Sequence, residues 1–335
     1  ETYYKETNGA FSPYLGALVE LWGVGSKNYV PTEKEISEAL SVSKAENVES
    51  NGKDFVGLRD GVRLNFGAVA KGYATDVIKE ILTEEEIPGA IISVGGNVYV
   101  HGTKPSGELF SVALRDPEGE QNDWVLSLPL CNKFVISSGD YERYFEKDGV
   151  RYHHIFSPET GYPAESDLKT VCVVSEDGVM ADAYSTALFV MGKEKALSFW
   201  REHEGFELIL IGRDNKITLT EGLDGLVSPN TEKDYIYEVE NSRAFKIGSF
   251  LASPVRTLKK LSNKNKNKPL NVLFIPSDNN RTSGAFLSMA NLVNILKGVH
   301  KLWQNLFFPK KWKICVSLPK DLTTVPLPFP KRANG

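Results

Sequence analysis

Asp182 and Thr186 lie four residues apart in a segment with helical periodicity. This spacing places a carboxylate and a hydroxyl on one face of a helix, where their oxygens can converge on one point. Hard oxygen ligands suit Mg²⁺, which usually takes only one or two carboxylates and keeps several waters. From spacing alone, the commoner explanation is a helix cap at Asp182 and a bond from the Thr186 hydroxyl to a backbone carbonyl.

A second candidate lies at residues 65–73, where Gly67 precedes a predicted helix and Lys71 falls in its first turn. The helix dipole favours anions at this end and disfavours a cation. Lys71 therefore indicates a phosphate or carboxylate nearby. A solvated lysine is the simpler interpretation, because Gly-Lys patterns are weak signals.

Two turns carry further candidate binding groups. They are Gly95, Gly96 and Asn97 in the first turn, and Ser138, Gly139 and Asp140 in the second. Paired glycines between two strands allow a ligand or another backbone to approach closely, although a plain hairpin turn explains them equally well. The second turn follows an apolar strand and offers hydroxyls and amides at its end, with the same simpler explanation.

His153 and His154 are two of only five histidines. Successive side chains on a strand face opposite ways, so only one of the pair can face a given site. A neutral imidazole is the usual general base near pH 7, although a packed or surface role is commoner for a lone histidine.

The elements that must position these groups are helices and strands in irregular order, which predicts an α+β fold with mixed sheets flanked by helices. Apolar periodicity predicts helices over residues 31–40, 68–82 and 182–191. The second has one apolar stripe, formed by Val69, Tyr73, Val77/Ile78 and Ile81/Leu82. Strands are predicted over residues 90–94, 97–100, 110–114, 134–136, 151–156, 170–174 and 207–211.

Composition excludes several classes of protein. The chain has 335 residues, 41% of them hydrophobic and 24% charged, which suits one or two globular domains and excludes a disordered or collagen-like chain. Three scattered cysteines exclude a disulfide framework or a zinc cluster. No apolar run is long enough to span a membrane. The chain begins at Glu1 without a Met or a signal peptide, so we expect a processed or trimmed form.

The two parts of the chain differ sharply in net charge. Residues 241–335 hold 17 Lys and Arg against 2 Asp and Glu, a balance of +15, whereas residues 1–240 carry −19. We therefore predict a first domain over 1–240, a basic linker over 241–268 and a basic tail over 269–335. The tail opens with a predicted strand at 271–276 and a predicted helix at 285–296, the first half of a Rossmann-like β-α unit.

The candidate groups occur in a recognisable order along the chain. The motifs are GAVAKGY at 67–73, SVGGN at 93–97, SGDYERY at 138–144, YHHIFSPETGYP at 152–163 and ADAYSTALFVMG at 181–192. This series closely resembles the ApbE family of FAD:protein FMN transferases over about residues 1–240. We expect the chain to start after the family's N-terminal portion, and so to be incomplete at that end. Asn65 stands where many members carry Asp, and Tyr184 where Leu is usual.

The resemblance implies a specific chemistry. Family members use FAD and Mg²⁺, transfer FMN to a Thr or Ser hydroxyl of an acceptor protein, and release AMP. The implied metal ligands are Asp182, Thr186 and the backbone carbonyl of Ala68, and the implied general base is His154. Lys71 and the two turns would line the FAD site. A non-catalytic flavin-binding protein and an FAD pyrophosphatase, which forms FMN and AMP, are the alternatives.

The resemblance also implies partners and a location. We expect an acceptor redox protein, an extracytoplasmic enzyme anchored to the cell membrane, and no nucleic-acid partner. Residues 271–289 weakly resemble the start of a glycosyltransferase, but the tail is too short for that activity and is expected to be a fusion remnant. Alternatively, its positive charge makes a peripheral contact with an anionic membrane.

Overall fold

The computed structural model describes residues 1–50, 56–120, 122–240 and 271–275. The helices are α1 (Thr2–Glu6), α2 (Gly16–Trp22), α3 (Glu33–Val42), α4 (Ala70–Glu84), α5 (Gly178–Met191) and α6 (Lys193–Glu202). The strands are β1 (Val48–Ser50), β2 (Val56–Leu58), β3 (Gly89–Val94), β4 (Asn97–Gly102), β5 (Phe110–Arg115), β6 (Trp124–Leu130), β7 (Lys133–Gly139), β8 (Tyr144–Lys147), β9 (Val150–His153), β10 (Leu168–Ser175), β11 (Phe206–Gly212), β12 (Lys216–Thr220), β13 (Ser228–Pro229), β14 (Ile236–Glu240) and β15 (Asn271–Ile275).

An eight-stranded mixed sheet forms the centre of the fold, in the order β14-β12-β11-β10-β7-β4-β3-β15. Its β14–β12 and β15–β3 pairs are parallel and the other pairs are antiparallel. Every residue of β10 is buried, as expected for a strand covered on both faces. The predicted α+β class is confirmed.

The two faces of this sheet are covered differently. On one face, strand residues such as Val135, Cys172 and Ile209 form a core with residues of the smaller β13-β6-β5 sheet, among them Leu126 and Leu128. Helix α5 packs on β7 and β10, and helix α4 packs on α5. The alternation of side chains on β7 therefore aims Ser138 at α5 while Val135 enters the opposite core.

Helix α4 confirms the predicted helix over 68–82, and its predicted apolar stripe is buried only in part, because Val69, Val77 and Leu82 are half-buried. Tyr73 and Ile81 are 58% and 42% exposed, whereas Gly72, Ala74 and Ile78 are buried. The small residues are buried because they let the backbones of α4 and α5 approach closely. A Cβ built on Gly72 would lie 2.1 Å from the carbonyl oxygen of Gly178 on α5.

Helix α5 begins four residues before the predicted start at Asp182. Its N-cap is Asp177, whose side chain accepts a hydrogen bond from the Met180 amide. The explanation of Asp182 as a helix cap is therefore wrong, because Asp182 lies in the second turn. The helix predicted over 31–40 is α3, and Thr32 and Glu35 form a capping box at its start.

The predicted strands are present with small changes of length, except that the strand predicted over 151–156 ends at His153. The strand predicted over 271–276 is β15, which pairs in parallel with β3. The linker at 241–268 and the tail helix at 285–296 lie outside the described residues, so the domain boundaries stay a prediction. Among the residues that the structure describes, no helix is long and apolar enough to cross a membrane.

Candidate metal and catalytic site

The Asp182 carboxylate is fixed at the contact between α4 and α5. Its Oδ2 accepts a hydrogen bond of 2.9 Å from the Gly72 amide, across a sequence separation of 110 residues. The side chain of Asp182 is only 3% exposed. A carboxylate held in this way by a backbone amide has a defined orientation, which leaves its second oxygen, Oδ1, to face another group.

The same hydrogen bond changes the start of α4. In a regular helix the Gly72 amide would donate to the carbonyl of Ala68, four residues earlier. The amides of Ala70 and Tyr73 do follow this pattern, donating to the carbonyls of Phe66 and Val69. Because the Gly72 amide donates to Asp182 instead, it leaves the Ala68 carbonyl oxygen without this helical hydrogen bond.

Hydroxyl groups surround the next turn of α5. Thr186 Oγ1 lies 3.4 Å from the Asp182 carbonyl oxygen and 3.2 Å from Ser138 Oγ at the end of β7. Ser138 Oγ is also 2.9 Å from Ser185 Oγ. The hydrogen bond that the spacing predicts, from the Thr186 hydroxyl to the backbone carbonyl four residues earlier, is therefore present. The contact with Ser138 fixes the Thr186 hydroxyl on the same side of α5 as Asp182.

Lys71 completes this cluster. Its Nζ lies 3.2 Å from Asp182 Oδ1 and donates toward the Gly67 carbonyl oxygen at 3.5 Å. The side chain is 25% exposed, so the interpretation of Lys71 as a freely solvated lysine is wrong. An ammonium in the first turn of a helix is tolerated here because a buried carboxylate lies beside it.

The donor set fits Mg²⁺. Asp182, Thr186 and the carbonyl of Ala68 supply a carboxylate, a hydroxyl and a backbone oxygen, which are the hard ligands this ion prefers. Within the described parts of the chain, no group of three or more His, Cys, Asp or Glu side chains is arranged to hold a metal.

The ring of His154 has a defined tautomer. Its Nδ1 lies 3.1 Å from the Arg143 carbonyl oxygen, which can only accept a hydrogen bond. Nδ1 therefore carries the proton, and Nε2 keeps a lone pair. Burial lowers the pKa of His154 to about 3, and the positive charges of Arg143 and Lys71 add to this effect. The ring is neutral near pH 7 and lies close enough to Lys71 to feel its charge.

His153 is the last residue of β9 and His154 follows the strand, so the alternation argument does not apply to this pair. His153 is buried, packs edge-on against Phe189, and its Nε2 donates to the Ala164 carbonyl oxygen at 3.1 Å. Its Nδ1 accepts from the Ile155 amide. Burial also lowers the pKa of His153. Both ring nitrogens of His153 have structural partners, whereas Nε2 of His154 has no hydrogen-bond partner among the described residues.

The Gly95-Gly96 turn is a two-residue hairpin between β3 and β4, with φ of 56° and 93° at the two glycines. Only glycine adopts such angles readily, so the hairpin explains both residues. Asn97 follows as a buried residue, and its Nδ2 has no hydrogen-bond partner within the described residues. The role of this turn in FAD binding stays a prediction.

The second turn continues β7 beside β10. Gly139 pairs with Thr170, and a Cβ on Gly139 would lie 2.7 Å from the Lys169 carbonyl oxygen. The buried Asp140 forms an ion pair with Arg213 at 2.5 Å. Asp140 thus has a structural partner in Arg213, and its predicted contact with FAD stays a prediction.

Comparison with known proteins agrees with this site. A sequence model of the ApbE family matches residues 1–210, which is more than half of the chain. The chain belongs to the ApbE family. The resemblance based on the ordered motifs is therefore confirmed. The site residues between Ala68 and Thr186 all lie inside the matched region.

Relatives of the ApbE family extend the comparison. The chain is 34% identical over 238 residues to the FAD:protein FMN transferase of Treponema pallidum, covering 66% of each protein. It is 33% identical to an enzyme of the same name from Klebsiella pneumoniae, covering 64% of this chain and 66% of that one. The matched region thus spans just under two thirds of these relatives.

Solved ApbE structures share the fold. The ApbE protein of Thermotoga maritima is 38% identical with a TM-score of 0.61, covering 67% of this chain and 74% of that one. The apo flavinyl transferase ApbE of Pseudomonas stutzeri is 30% identical with a TM-score of 0.58, covering 67% and 71% of the two chains.

Sequence reasoning missed two contributors to this ApbE site. Gly72 binds Asp182 through its amide, and the Arg143 carbonyl sets the tautomer of His154. A glycine inside an otherwise strong helical pattern was the available signal for Gly72, since such a residue usually marks close packing. A backbone carbonyl leaves no signal in the sequence.

Proposed function

We propose that this protein transfers FMN from FAD to a Thr or Ser hydroxyl of an acceptor protein, with Mg²⁺ as cofactor and AMP as the second product. The observation that supports the proposal is the buried Asp182 carboxylate, which the Gly72 amide holds beside Lys71, one helical turn before the Thr186 hydroxyl. Family membership and relatives named FAD:protein FMN transferase support it.

Three oxygens of this chain would hold the metal: Asp182 Oδ1, Thr186 Oγ1 and the Ala68 carbonyl oxygen. Mg²⁺ bound there would neutralise charge that develops on the pyrophosphate oxygens during transfer. Asp182 is oriented for this task by the Gly72 amide, and Thr186 by its contact with Ser138. Such supporting hydrogen bonds keep ligands in place before the metal arrives.

His154 would act at the acceptor hydroxyl. Its Nε2 accepts the hydroxyl proton while the acceptor oxygen forms a bond to the phosphorus of the FMN half. The bond from that phosphorus to the bridging oxygen breaks, and AMP leaves with the electron pair. The low pKa of His154 keeps it unprotonated before substrate binds, and the negative pyrophosphate would raise this pKa toward a useful range.

The remaining parts of the proposal concern binding and place. Lys71 and the turns at Gly95-Gly96 and Ser138-Gly139 would contact FAD. We further propose that the acceptor is an extracytoplasmic redox protein and that the enzyme works at the cell membrane. The resemblance of the ordered motifs to the ApbE family is the support for this location.

The test measures AMP release from FAD and Mg²⁺, together with in-gel flavin fluorescence of membrane proteins from the organism that encodes the chain. Asp182→Asn should lower AMP release at least about hundredfold, since the bound cation supplies several kcal/mol. His154→Gln should lower flavin labelling by about 10²–10⁴-fold.

Two matched controls accompany these variants. Asp224→Asn changes an exposed carboxylate. His203→Gln changes a histidine that, like His154, contacts a backbone carbonyl through Nδ1. Both should retain activity. AMP release without labelling would favour the pyrophosphatase alternative, and FAD binding without AMP release would favour a flavin-binding protein.

A further inference from the structure

The Lys71 ammonium contacts the Asp182 oxygen that a metal ion at this site would use. Asp182 Oδ2 is taken by the Gly72 amide, and Lys71 Nζ lies 3.2 Å from the other oxygen, Oδ1. The same Nζ also points at the Gly67 carbonyl oxygen, next to the carbonyl of Ala68. The lysine thus contacts the oxygen that the metal site requires from Asp182.

An ammonium and a divalent cation cannot share this oxygen closely. Both are positive, and their repulsion in a largely buried site is strong because little water screens it. A buried carboxylate without a partner is also unfavourable, so Asp182 needs one cation or the other. The two cations therefore compete for Asp182.

We propose that Lys71 is the resident cation of the metal-free enzyme, that a divalent metal displaces it from Asp182, and that the displaced ammonium then binds the FAD pyrophosphate. This inference rests on the proposed function, because it takes its metal and its anion from that reaction. The side chain of Lys71 is 25% exposed and has a flexible four-carbon stem, so it can swing without unpacking the core.

Two consequences follow from the competition. Metal binding must break the ion pair between Lys71 and Asp182, which weakens metal affinity in the absence of FAD. The freed ammonium gains a new partner when FAD is present, so metal and FAD strengthen each other's binding. Removing the charge of Lys71 should therefore have opposite effects on the two ligands.

The experiment titrates the full-length protein with Mn²⁺ in the absence of FAD and follows free Mn²⁺ by electron paramagnetic resonance. Lys71→Met should bind Mn²⁺ about tenfold more tightly than the wild type, because a competing buried charge is gone. Its FAD affinity, measured by flavin fluorescence with saturating Mn²⁺, should fall about tenfold or more, because charge-assisted contacts to phosphate are among the stronger hydrogen bonds.

The matched control is Lys79→Met on the same helix. Lys79 pairs with Asp76 at 3.9 Å and donates to the Glu176 carbonyl oxygen, away from Asp182. This variant should leave both affinities unchanged. Lys71→Gln serves as a second variant if Lys71→Met is unstable, because its amide still donates a hydrogen bond to Asp182 without the charge.

The outcomes separate this inference from the proposed function. Equal or weaker Mn²⁺ binding by both Lys71 variants would overturn the inference. Mn²⁺ binding that is equal in the wild type and Asp182→Asn would remove the metal from this site and overturn it as well. Tighter Mn²⁺ binding by the Lys71 variants in a protein that releases no AMP would sustain the inference and overturn the proposed function alone.

Discussion

The contact between α4 and α5 at Gly72 offers a direct test of how the fold builds the site. Replacing Gly72 with Ala would place a Cβ 2.1 Å from the Gly178 carbonyl oxygen and 2.9 Å from the Asp182 Cβ. Neither atom can move away by a side-chain rotation, because the Gly178 oxygen belongs to the backbone and the Asp182 Cβ is bonded directly to it. The two helices must therefore move apart, which also stretches the bond from the Gly72 amide to Asp182.

The size of the effect can be worked from these contacts. Overpacking costs about 1–3 kcal/mol, and the loss of a hydrogen bond to a carboxylate costs about 1.5–3 kcal/mol. The higher helix propensity of Ala offsets about 1 kcal/mol of this loss of stability. A net loss of about 3 kcal/mol lowers Tm by about 6–12 °C for a unit of this size. Because Asp182 and the Ala68 carbonyl shift together, Mn²⁺ affinity should fall about 10–100-fold.

The assay combines thermal unfolding by circular dichroism with Mn²⁺ titration of the folded variant at 15 °C. Glu80→Ala, an exposed change on the same helix, is the control and should change neither quantity appreciably. A Gly72→Ala protein with wild-type Tm and wild-type Mn²⁺ affinity would refute the reasoning. It would show that the helices tolerate separation and that the Gly72 amide does not orient Asp182.

Two further predictions concern stability. The pKa of His154 is lowered to about 3 by burial, so between pH 6.5 and 3 the unfolded chain binds more protons than the folded one and stability falls as the pH falls. In thermal unfolding, the Tm of wild type should therefore drop more steeply from pH 7 to pH 5 than that of His154→Gln, and parallel drops would contradict this. Thr32→Ala removes the capping box with Glu35 and should cost about 1 kcal/mol in urea unfolding, against no change for the exposed Lys34→Ala.

Local patterns were enough to predict much of the fold. Thr32 and Glu35 have the spacing of a capping box, and the structure forms one. The capping box was predictable because it depends on residues within one turn of the same helix. The alternation argument for His153 and His154 was wrong in its premise, because the strand ends at His153 and His154 lies beyond it.

Long-range packing accounts for what local patterns missed. The predicted apolar stripe of α4 includes the buried Ile78 but also the exposed Tyr73 and Ile81, and it leaves out Gly72, where α5 makes its close contact. The four-residue spacing of Asp182 and Thr186 correctly placed them on one helix. The spacing carried no information about Gly72 and Lys71, which lie more than 100 positions away in the chain and hold the carboxylate.

In the proposed reaction, the charge balance of the site would explain why one carboxylate suffices. The single negative charge of Asp182 is offset by Lys71, so the pair is neutral. A divalent cation on Asp182 would leave one net positive charge, and the displaced Lys71 would add a second. These two charges would match the two negative charges of the FAD pyrophosphate. A second acidic ligand would cancel part of this positive charge beside the transferred phosphate. A site with one carboxylate and one movable lysine therefore suits a dianionic substrate.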